Sequence, residues 1–292
     1  MTLLIAGALG VDALGVIAGA GGVAAIAAAP LAAVQLWARG GSLPPHPREI
    51  LARRAIDLSG VTWDGPVSVF AADGRATQGS GACLGSCEPT SADGLRAVLV
   101  IGLAPAEELQ ALRAARALAA PLVIVSGSTQ LAPLQGVAVR SGQPTAPATS
   151  PQEQDAAGID VRIETLAAAL RLTGAADALG AAKALQAAGA KAVVLTAGML
   201  GGLLVFGDRA VSYPAQAIGE DPGHGGACAA FAGALAGWCE GAGANYTALM
   251  RGCATASVVA GIQVQGGAKR LLGADRAQYL ERFNRLRRIA KY

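Results

Sequence analysis

Residues 220–237 read EDPGHGGACAAFAGALAG, and this stretch is the most informative about the fold. A Pro-Gly turn leads into a glycine-rich loop, and the loop leads into an alanine-rich helix. Free backbone N–H groups at the start of such a helix, with no side chains covering them, form a binding site for anions. We therefore predict an anion hole at four consecutive residues: Gly225, Gly226, Ala227 and Cys228. The helix that follows begins without a side chain that could accept a proton.

Strand and helix patterns alternate along the rest of the chain. Short apolar runs predict buried strands at TLLIAG (2–7), AVLVIG (97–102), PLVIVSG (121–127) and KAVVLTAG (191–198), and GGLLVFGDRAVSYPA (201–215) predicts a hairpin. Helical patterns separate them, for example PAEELQALRAARALA (105–119). This alternation predicts an α/β fold, with a mostly parallel central sheet and helices on both faces.

Two further segments are interpreted as helices. GGVAAIAAAPLAAVQLWARGG (21–41) begins and ends with glycine, and Pro30 inside it predicts a kink. IETLAAALRLTG (163–174) has the apolar spacing of a helix throughout. The Pro-rich residues 141–158 form a polar connection.

Composition excludes several classes of function. Charged residues make up only 15% of the chain and the net charge is +3, which is too small for a nucleic-acid-binding surface. The uncharged stretch 13–38 is long enough to cross a bilayer. However, Asp12 directly precedes it, and glycines and Pro30 interrupt it, so we interpret this region as a strand, a loop and a buried helix and not as a membrane span.

The cysteines predict a reducing environment. There are five, an odd number, and their spacings match no zinc site, so free thiols in the cytoplasm and no metal centre are expected. Cys228 in the glycine-rich loop is either a thiol of lowered pKa or a small buried side chain.

Several motifs in order resemble the ribokinase family, also called the PfkB carbohydrate kinases. TAGMLGG (196–202) resembles the T-x-G-x-x-G turn of the family, and EDPGHGGACAAFAGAL (220–235) resembles its D-x-T-G-A-G-D-x-F-x-G signature. LARRAIDLSGV (51–61) resembles the stretch before the lid over the substrate, and ALMRGCATASVVAGIQVQGGAKRL (248–271) resembles the last helices. The chain is identified as a degenerate member of this family.

The resemblance implies a single domain over residues 1–292 with a small β lid at about 61–87. The activity it implies is transfer of the γ-phosphoryl group of ATP, with Mg²⁺, to a hydroxyl of a sugar or nucleoside. The residues that it implies for the nucleotide are Thr196, Gly198 and Gly201. Those that it implies for the substrate are Asp12, Gly21 and Gly22.

The sequence departs from the family at three polar positions. The position of the catalytic Asp is occupied by Ala229 or, in another alignment, by Ala227. The N-x-x-E motif that organises Mg²⁺ corresponds to Thr165 and Ala168, with Glu164 as the nearest substitute, and the substrate-binding Asn corresponds to Ile26. Loss of a general base alone commonly costs about 10²–10⁴-fold in rate, so the pattern predicts loss of phosphoryl transfer.

Two functions remain open at this point. One is a pseudokinase that binds a small molecule or a protein partner, within an oligomer or complex. The other is an active kinase that uses Asp221 or Glu220 as a displaced base. The alternative role for Asp221 is to cap the helix or turn, Asp12 is either a sugar ligand or a turn cap, and His224 is expected to be an exposed loop residue.

Overall fold

The computed structural model describes residues 1–12, 15–64, 67–70, 76–78, 84, 94–127, 158–216 and 226–290. Several predictions therefore lie outside the described residues, namely those on Glu220, Asp221, His224 and Gly225, and most of the polar connection at 141–158.

The described strands, in chain order, are β1 Thr2–Gly7, β2 Gly10–Asp12, β3 Ile17–Ala18, β4 Ala33–Arg39, β5 Ile56–Asp57, β6 Val61–Thr62, β7 Val69–Phe70, β8 Ala76–Gln78, β9 Leu95–Ile101, β10 Val123–Ser126, β11 Val161–Thr165, β12 Ala192–Thr196, β13 Gly202–Phe206 and β14 Arg209–Tyr213. The described helices are α1 Ala20–Ala28, α2 Pro45–Arg53, α3 Pro105–Ala117, α4 Leu166–Thr173, α5 Ala178–Ala187, α6 Ala227–Ala242, α7 Tyr246–Gly273 and α8 Arg276–Ala290. A short 3₁₀ turn covers Gly198–Leu200.

The central sheet has ten strands, in the order β14-β13-β12-β11-β10-β9-β1-β4-β5, with β6 also paired to β4. All neighbours from β12 to β5 run parallel, whereas the pairs β12–β13 and β13–β14 are antiparallel. Parallel strands that are covered on both faces consist of continuous apolar runs, as TLLIAG does in β1.

Helices cover both faces of this sheet. Leu3 and Ile5 of β1 point to a core that α1, α6 and α7 complete. Leu4 and Ala6 point to the opposite core, which α3, α4 and α5 complete. The predicted mostly parallel α/β fold with helices on both faces is therefore confirmed.

The segment 21–41 is not one helix, and this prediction was wrong. Helix α1 ends at Ala28, just before Pro30, and residues Ala33–Arg39 form strand β4. This strand pairs in parallel with β1, with Ile5 opposite Leu36. Pairing with β1 on one side and β5 on the other, with Trp37 fully buried, outweighs the helical tendency of the alanines.

The helix predicted over 163–174 was likewise too long. Its first residues belong to strand β11, and α4 begins only at Leu166. Thr165 caps α4, because its side-chain oxygen accepts a hydrogen bond of 3.1 Å from the backbone N–H of Ala168. Strand β11 tolerates its two charges because Arg162 and Glu164 pair with each other.

A second, four-stranded sheet has the order β3-β2-β7-β8. The segment expected to form a lid supplies β7 and β8, while β2 and β3 come from the chain before α1. Val11 of β2 pairs in parallel with Val69 of β7, which joins the two parts. The role of this sheet as a lid, and the division of the chain into one domain, stay predictions.

Among the described helices, none has both the length and the apolar character that crossing a bilayer requires.

Candidate functional site

A cavity of about 390 Å³ lies between the small sheet and the carboxyl ends of the central strands. Asp12 and Phe70 line it from the small sheet, and Ser126, Glu164 and Thr196 line it from β10, β11 and β12. Ligands of open parallel sheets bind at this edge. This cavity brings together only part of the predicted site residues.

Asp12 lines the cavity and also caps a turn. Its Oδ1 accepts a hydrogen bond of 2.9 Å from the backbone N–H of Val16, and its backbone N–H donates to the Val16 carbonyl at 2.8 Å. The two roles considered for this residue are therefore compatible, since the turn fixes the carboxylate at the cavity wall.

Gly21 and Gly22 do not line this cavity. A Cβ at Gly21 would lie 2.6 Å from the backbone carbon of Gly7, and a Cβ at Gly22 would lie 2.9 Å from Leu9 Cδ1. Gly21 lets α1 approach β1 closely, and Gly22 leaves room for Leu9. The cavity wall is formed by the two preceding residues, Gly19 and Ala20.

The start of α6 forms another wall. Gly226 precedes the helix in a left-handed conformation (φ 90°), and no side chain caps the helix among the described residues. Gly226 and Cys228 of the predicted anion hole line the cavity, and so does Ala229. The methyl group of Ala229 thus lies in the cavity wall at one of the two positions where the family resemblance places the catalytic carboxylate.

Of the predicted nucleotide residues, only Thr196 lines the cavity. Its hydroxyl donates to the backbone carbonyl of Glu164 at 3.4 Å. Gly198 begins the 3₁₀ turn with φ 59°, and Gly201 has φ 85° and packs against the backbone of Tyr213. Both glycines shape the turn between β12 and β13 without lining the cavity.

Glu164 is the main functional candidate in the cavity, and its location there could not be predicted from the sequence. Its side chain is buried, and Oε1 accepts hydrogen bonds from Arg162 Nε at 3.1 Å and Nη2 at 2.9 Å. Oε2 has no hydrogen-bond partner among the described residues. Burial raises the pKa of Glu164, and the guanidinium of Arg162 opposes this shift. The sequence contains one signal for this pairing. Arg162 and Glu164 stand at alternate positions of VRIET, so in a strand their side chains lie on the same face.

A second buried carboxylate belongs to the same cluster. Glu108 of α3 is 7% exposed and lies close enough to both Arg162 and Glu164 to interact with their charges. Burial raises the pKa of Glu108, Arg162 lowers it and Glu164 raises it. One guanidinium therefore faces two carboxylates in a buried region.

Cys228 fits neither of its expected roles. The residue is exposed at the cavity, so it is not a buried filler. Protein atoms nevertheless surround its thiol closely, and this desolvation raises the pKa of the thiol, an effect that Thr196 only partly opposes. The hypothesis of a lowered pKa was therefore wrong.

The charged side chains lining the described part of the cavity are two carboxylates, Asp12 and Glu164, and no cationic side chain is among them. In the same part of the chain, no group of three or more His, Cys, Asp or Glu residues is placed to hold a metal ion. In kinase sites Mg²⁺ is held by one or two carboxylates together with phosphate oxygens and water, so Asp12 and Glu164 are the described lining residues that could hold it, whereas no described cationic side chain lines the cavity for the phosphates.

No protein-family model and no curated protein sequence matches this chain. Solved structures match over nearly the full length. An aminoimidazole riboside kinase from Salmonella enterica, complexed with aminoimidazole riboside and an ATP analogue, has a TM-score of 0.72 at 17% identity and covers 97% of this chain and 100% of its own. A ribokinase from Cryptococcus neoformans in complex with ADP has a TM-score of 0.72 at 19% identity, with 96% of this chain and 99% of its own covered.

A fructokinase from Vibrio cholerae with fructose, ADP and calcium bound has a TM-score of 0.69 at 16% identity, covering 97% of this chain and 98% of its own. At these identities the likeness concerns the fold. The chain therefore has the ribokinase-like fold, as its motifs predicted.

Proposed function

We propose that this protein binds a small hydroxyl-bearing molecule, of the size of a sugar or nucleoside, and does not transfer a phosphoryl group to it. The observation that carries the proposal is Ala229 in the cavity wall, at a position where the family resemblance implies the general base. A volume of about 390 Å³ is in the range of cavities that enclose small ligands.

The charges of the cavity support the loss of phosphoryl transfer. Transfer from ATP depends on Lys, Arg or Mg²⁺ to neutralise the phosphates. Among the described lining residues, the charged side chains are the carboxylates of Asp12 and Glu164. Without a bound metal these carboxylates would repel a triphosphate, whereas they accept hydrogen bonds from hydroxyl groups directly.

The ligand class follows from the proteins of the same fold. Those described above were solved with aminoimidazole riboside or fructose, and with nucleotides. We propose that this chain retains the substrate half of such a site and acts as a ligand-binding subunit whose partner is another protein. Cys228, Cys239 and Cys253 are free thiols, in keeping with a reducing cytoplasm.

A second candidate is an active ATP-dependent sugar or nucleoside kinase. The observation that favours it is the start of α6, where Gly226 leaves the helix without a side-chain cap. An uncapped helix N-terminus can hold a phosphate. In this case Asp221 or Glu220, from the loop before α6, takes the proton from the hydroxyl group.

Binding and turnover, measured separately, distinguish the two functions. A thermal-shift and calorimetric panel of sugars and nucleosides is run with and without Mg–ATP, and ADP formation is followed in parallel. We expect a sugar or nucleoside to bind without ADP formation. Turnover that disappears in Asp221→Asn while binding persists would establish the kinase instead.

A further inference from the structure

We propose that the ligand of this cavity carries an ammonium group and that Glu164 binds this group through Oε2. The inference rests on the proposed binding function and names the chemical class of the ligand. It makes Glu164 the residue that determines specificity, at the sheet side of the cavity.

The geometry leaves one carboxylate oxygen of Glu164 for the ligand. The side chain is 1% exposed, and both hydrogen bonds from Arg162 go to Oε1. Oε2 lacks a hydrogen-bond partner among the described residues, although the residue lines the cavity. A buried carboxylate oxygen without a partner is costly, so a donor from the ligand stabilises it.

Gly127 keeps the space beside this oxygen open. It follows β10 with φ 24°, and it lines the cavity. A Cβ at this position would lie 3.4 Å from Oε2 of Glu164. Because residue 127 is a glycine, no side chain at this position fills the space beside Oε2.

The charge balance favours an ammonium over a hydroxyl as the donor. The buried cluster of Glu108, Arg162 and Glu164 contains two carboxylates and one guanidinium. When both carboxyls are ionised the cluster has one surplus negative charge, which a bound ammonium would balance, whereas a hydroxyl would only supply a hydrogen bond. Charge-assisted hydrogen bonds are roughly twice as strong as neutral ones, and the low dielectric of a buried site increases the difference.

A metal ion is a poorer occupant of the same place. Divalent cations bind several oxygen ligands at once. No cluster of three candidate ligand side chains exists in the described part of the chain. A carboxylate oxygen that is still without a partner among the described residues can instead accept a charge-assisted hydrogen bond from one N–H of an ammonium.

Matched pairs of compounds test the inference by calorimetry: glucosamine against glucose, galactosamine against galactose, and aminodeoxyadenosine against adenosine. We expect at least one amine to bind wild-type protein about tenfold or more tightly than its hydroxyl parent. Glu164→Gln should abolish this preference, because the amide is uncharged.

Glu240→Gln is the matched control. Glu240 is another buried glutamate with one carboxylate oxygen, Oε1, that lacks a partner, but it lies in α6 outside the cavity lining. The amine preference should be unchanged in this variant. Loss of the preference in both variants would indicate a general effect of removing a buried charge, and it would overturn the assignment to Glu164.

A pH series on the wild-type protein gives an independent readout if Glu164→Gln does not fold. The charged or titratable groups facing Glu164 among the described residues are Arg162, Glu108 and the thiol of Cys228. Because burial raises the pKa of Glu164, its carboxyl is partly protonated at acidic pH. Amine affinity should therefore rise as the pH approaches neutrality, while affinity for the hydroxyl parent stays constant.

The outcomes separate this inference from the proposed function. If the hydroxyl parents bind as tightly as the amines, the inference of an ammonium-bearing ligand is wrong, whereas the proposed binding of a small ligand is supported. If no compound of the panel binds, both the inference of an ammonium-bearing ligand and the proposed binding function are wrong. Stabilisation of the wild-type protein by Mg²⁺ alone, absent in Glu164→Gln, would assign Oε2 to a metal and overturn the inference.

Discussion

Replacing Gly233 by alanine tests the close crossing of α6 over α1, which sets the position of one cavity wall. A Cβ at Gly233 would collide with the backbone oxygen of Ala24 and lie 2.6 Å from its Cα and 2.7 Å from its carbonyl carbon. Cβ atoms in proteins essentially never lie closer than 3.0 Å to such neighbours. Since the obstacle is backbone, no side-chain rotation relieves it, and the two helices must move apart.

The magnitude follows from two opposing effects. Alanine is more favourable than glycine inside a helix by about 1 kcal/mol. Overpacking a close contact costs typically about 1–3 kcal/mol, and the backbone contacts of Gly233 place it at the upper end. We therefore expect Gly233→Ala to lower the free energy of unfolding by about 1–2 kcal/mol.

Gly241→Ala is the control on the same helix. A Cβ at Gly241 would meet no atom within 4 Å, so only the gain in helix propensity applies there. We expect this variant to be more stable than wild type, by up to about 1 kcal/mol.

Urea unfolding followed by circular dichroism measures both variants. The expected order of unfolding midpoints is Gly241→Ala, then wild type, then Gly233→Ala. A Gly233→Ala protein at least as stable as wild type would refute the close crossing, because the added methyl would then have room.

Three further outcomes follow from individual side chains. Burial raises the pKa of Glu108, so folding takes up protons there. The free energy of unfolding should therefore fall as the pH rises above about 4.5 toward that raised pKa. Urea unfolding at a series of pH values should show a flatter slope for Glu108→Gln, and an unchanged slope would contradict this prediction. The hydroxyl of Tyr213 donates to the Leu195 carbonyl at 2.8 Å in a buried place, so Tyr213→Phe should cost about 0.5–1.5 kcal/mol in the same assay; no loss would show that the bond does not contribute. Cys228 is exposed, whereas Cys239 is buried with a pKa of about 12. Iodoacetamide should therefore alkylate Cys228 before Cys239, which mass spectrometry of the labelled protein can follow. Faster labelling of Cys239 would contradict this placement.

The sequence predicted the fold well where one signal dominated. The runs at β1, β9, β10 and β12 are apolar throughout and short, which is typical of buried parallel strands. Strand β4 was missed because its neighbourhood is rich in alanine, and alanine favours helix locally. Only the pairing of Leu36 and its neighbours with β1, a long-range contact, makes this segment a strand.

The site was predicted less completely, because a glycine motif does not show why glycine is required at each of its positions. Gly21 was expected at the ligand, yet its lack of a side chain serves contact with Gly7. Thr196 and Asp12 both line the cavity because each ends a strand of its sheet, and their roles in binding stay predictions. The buried partner of Glu164 is two residues away on the same strand, a pairing that appears only once β11 is recognised as a strand.

The two proposals are physically linked through Glu164. A carboxylate and a phosphate about 4 Å apart repel each other by about 4 kcal/mol at an effective dielectric constant of 20, and an ammonium at that distance is attracted equally. An ionised Glu164 facing the cavity therefore favours amines and disfavours phosphates with the same charge. In the proposed function, alanine at residue 229 removes the base but would by itself leave a site that tolerates a phosphate. The oxygen Oε2 of Glu164, which has no hydrogen-bond partner among the described residues, adds a negative charge that Arg162 only partly offsets. Glu164→Gln should thus weaken amine binding and relieve the repulsion of phosphate together, and a variant that changes only one of them would separate the proposals.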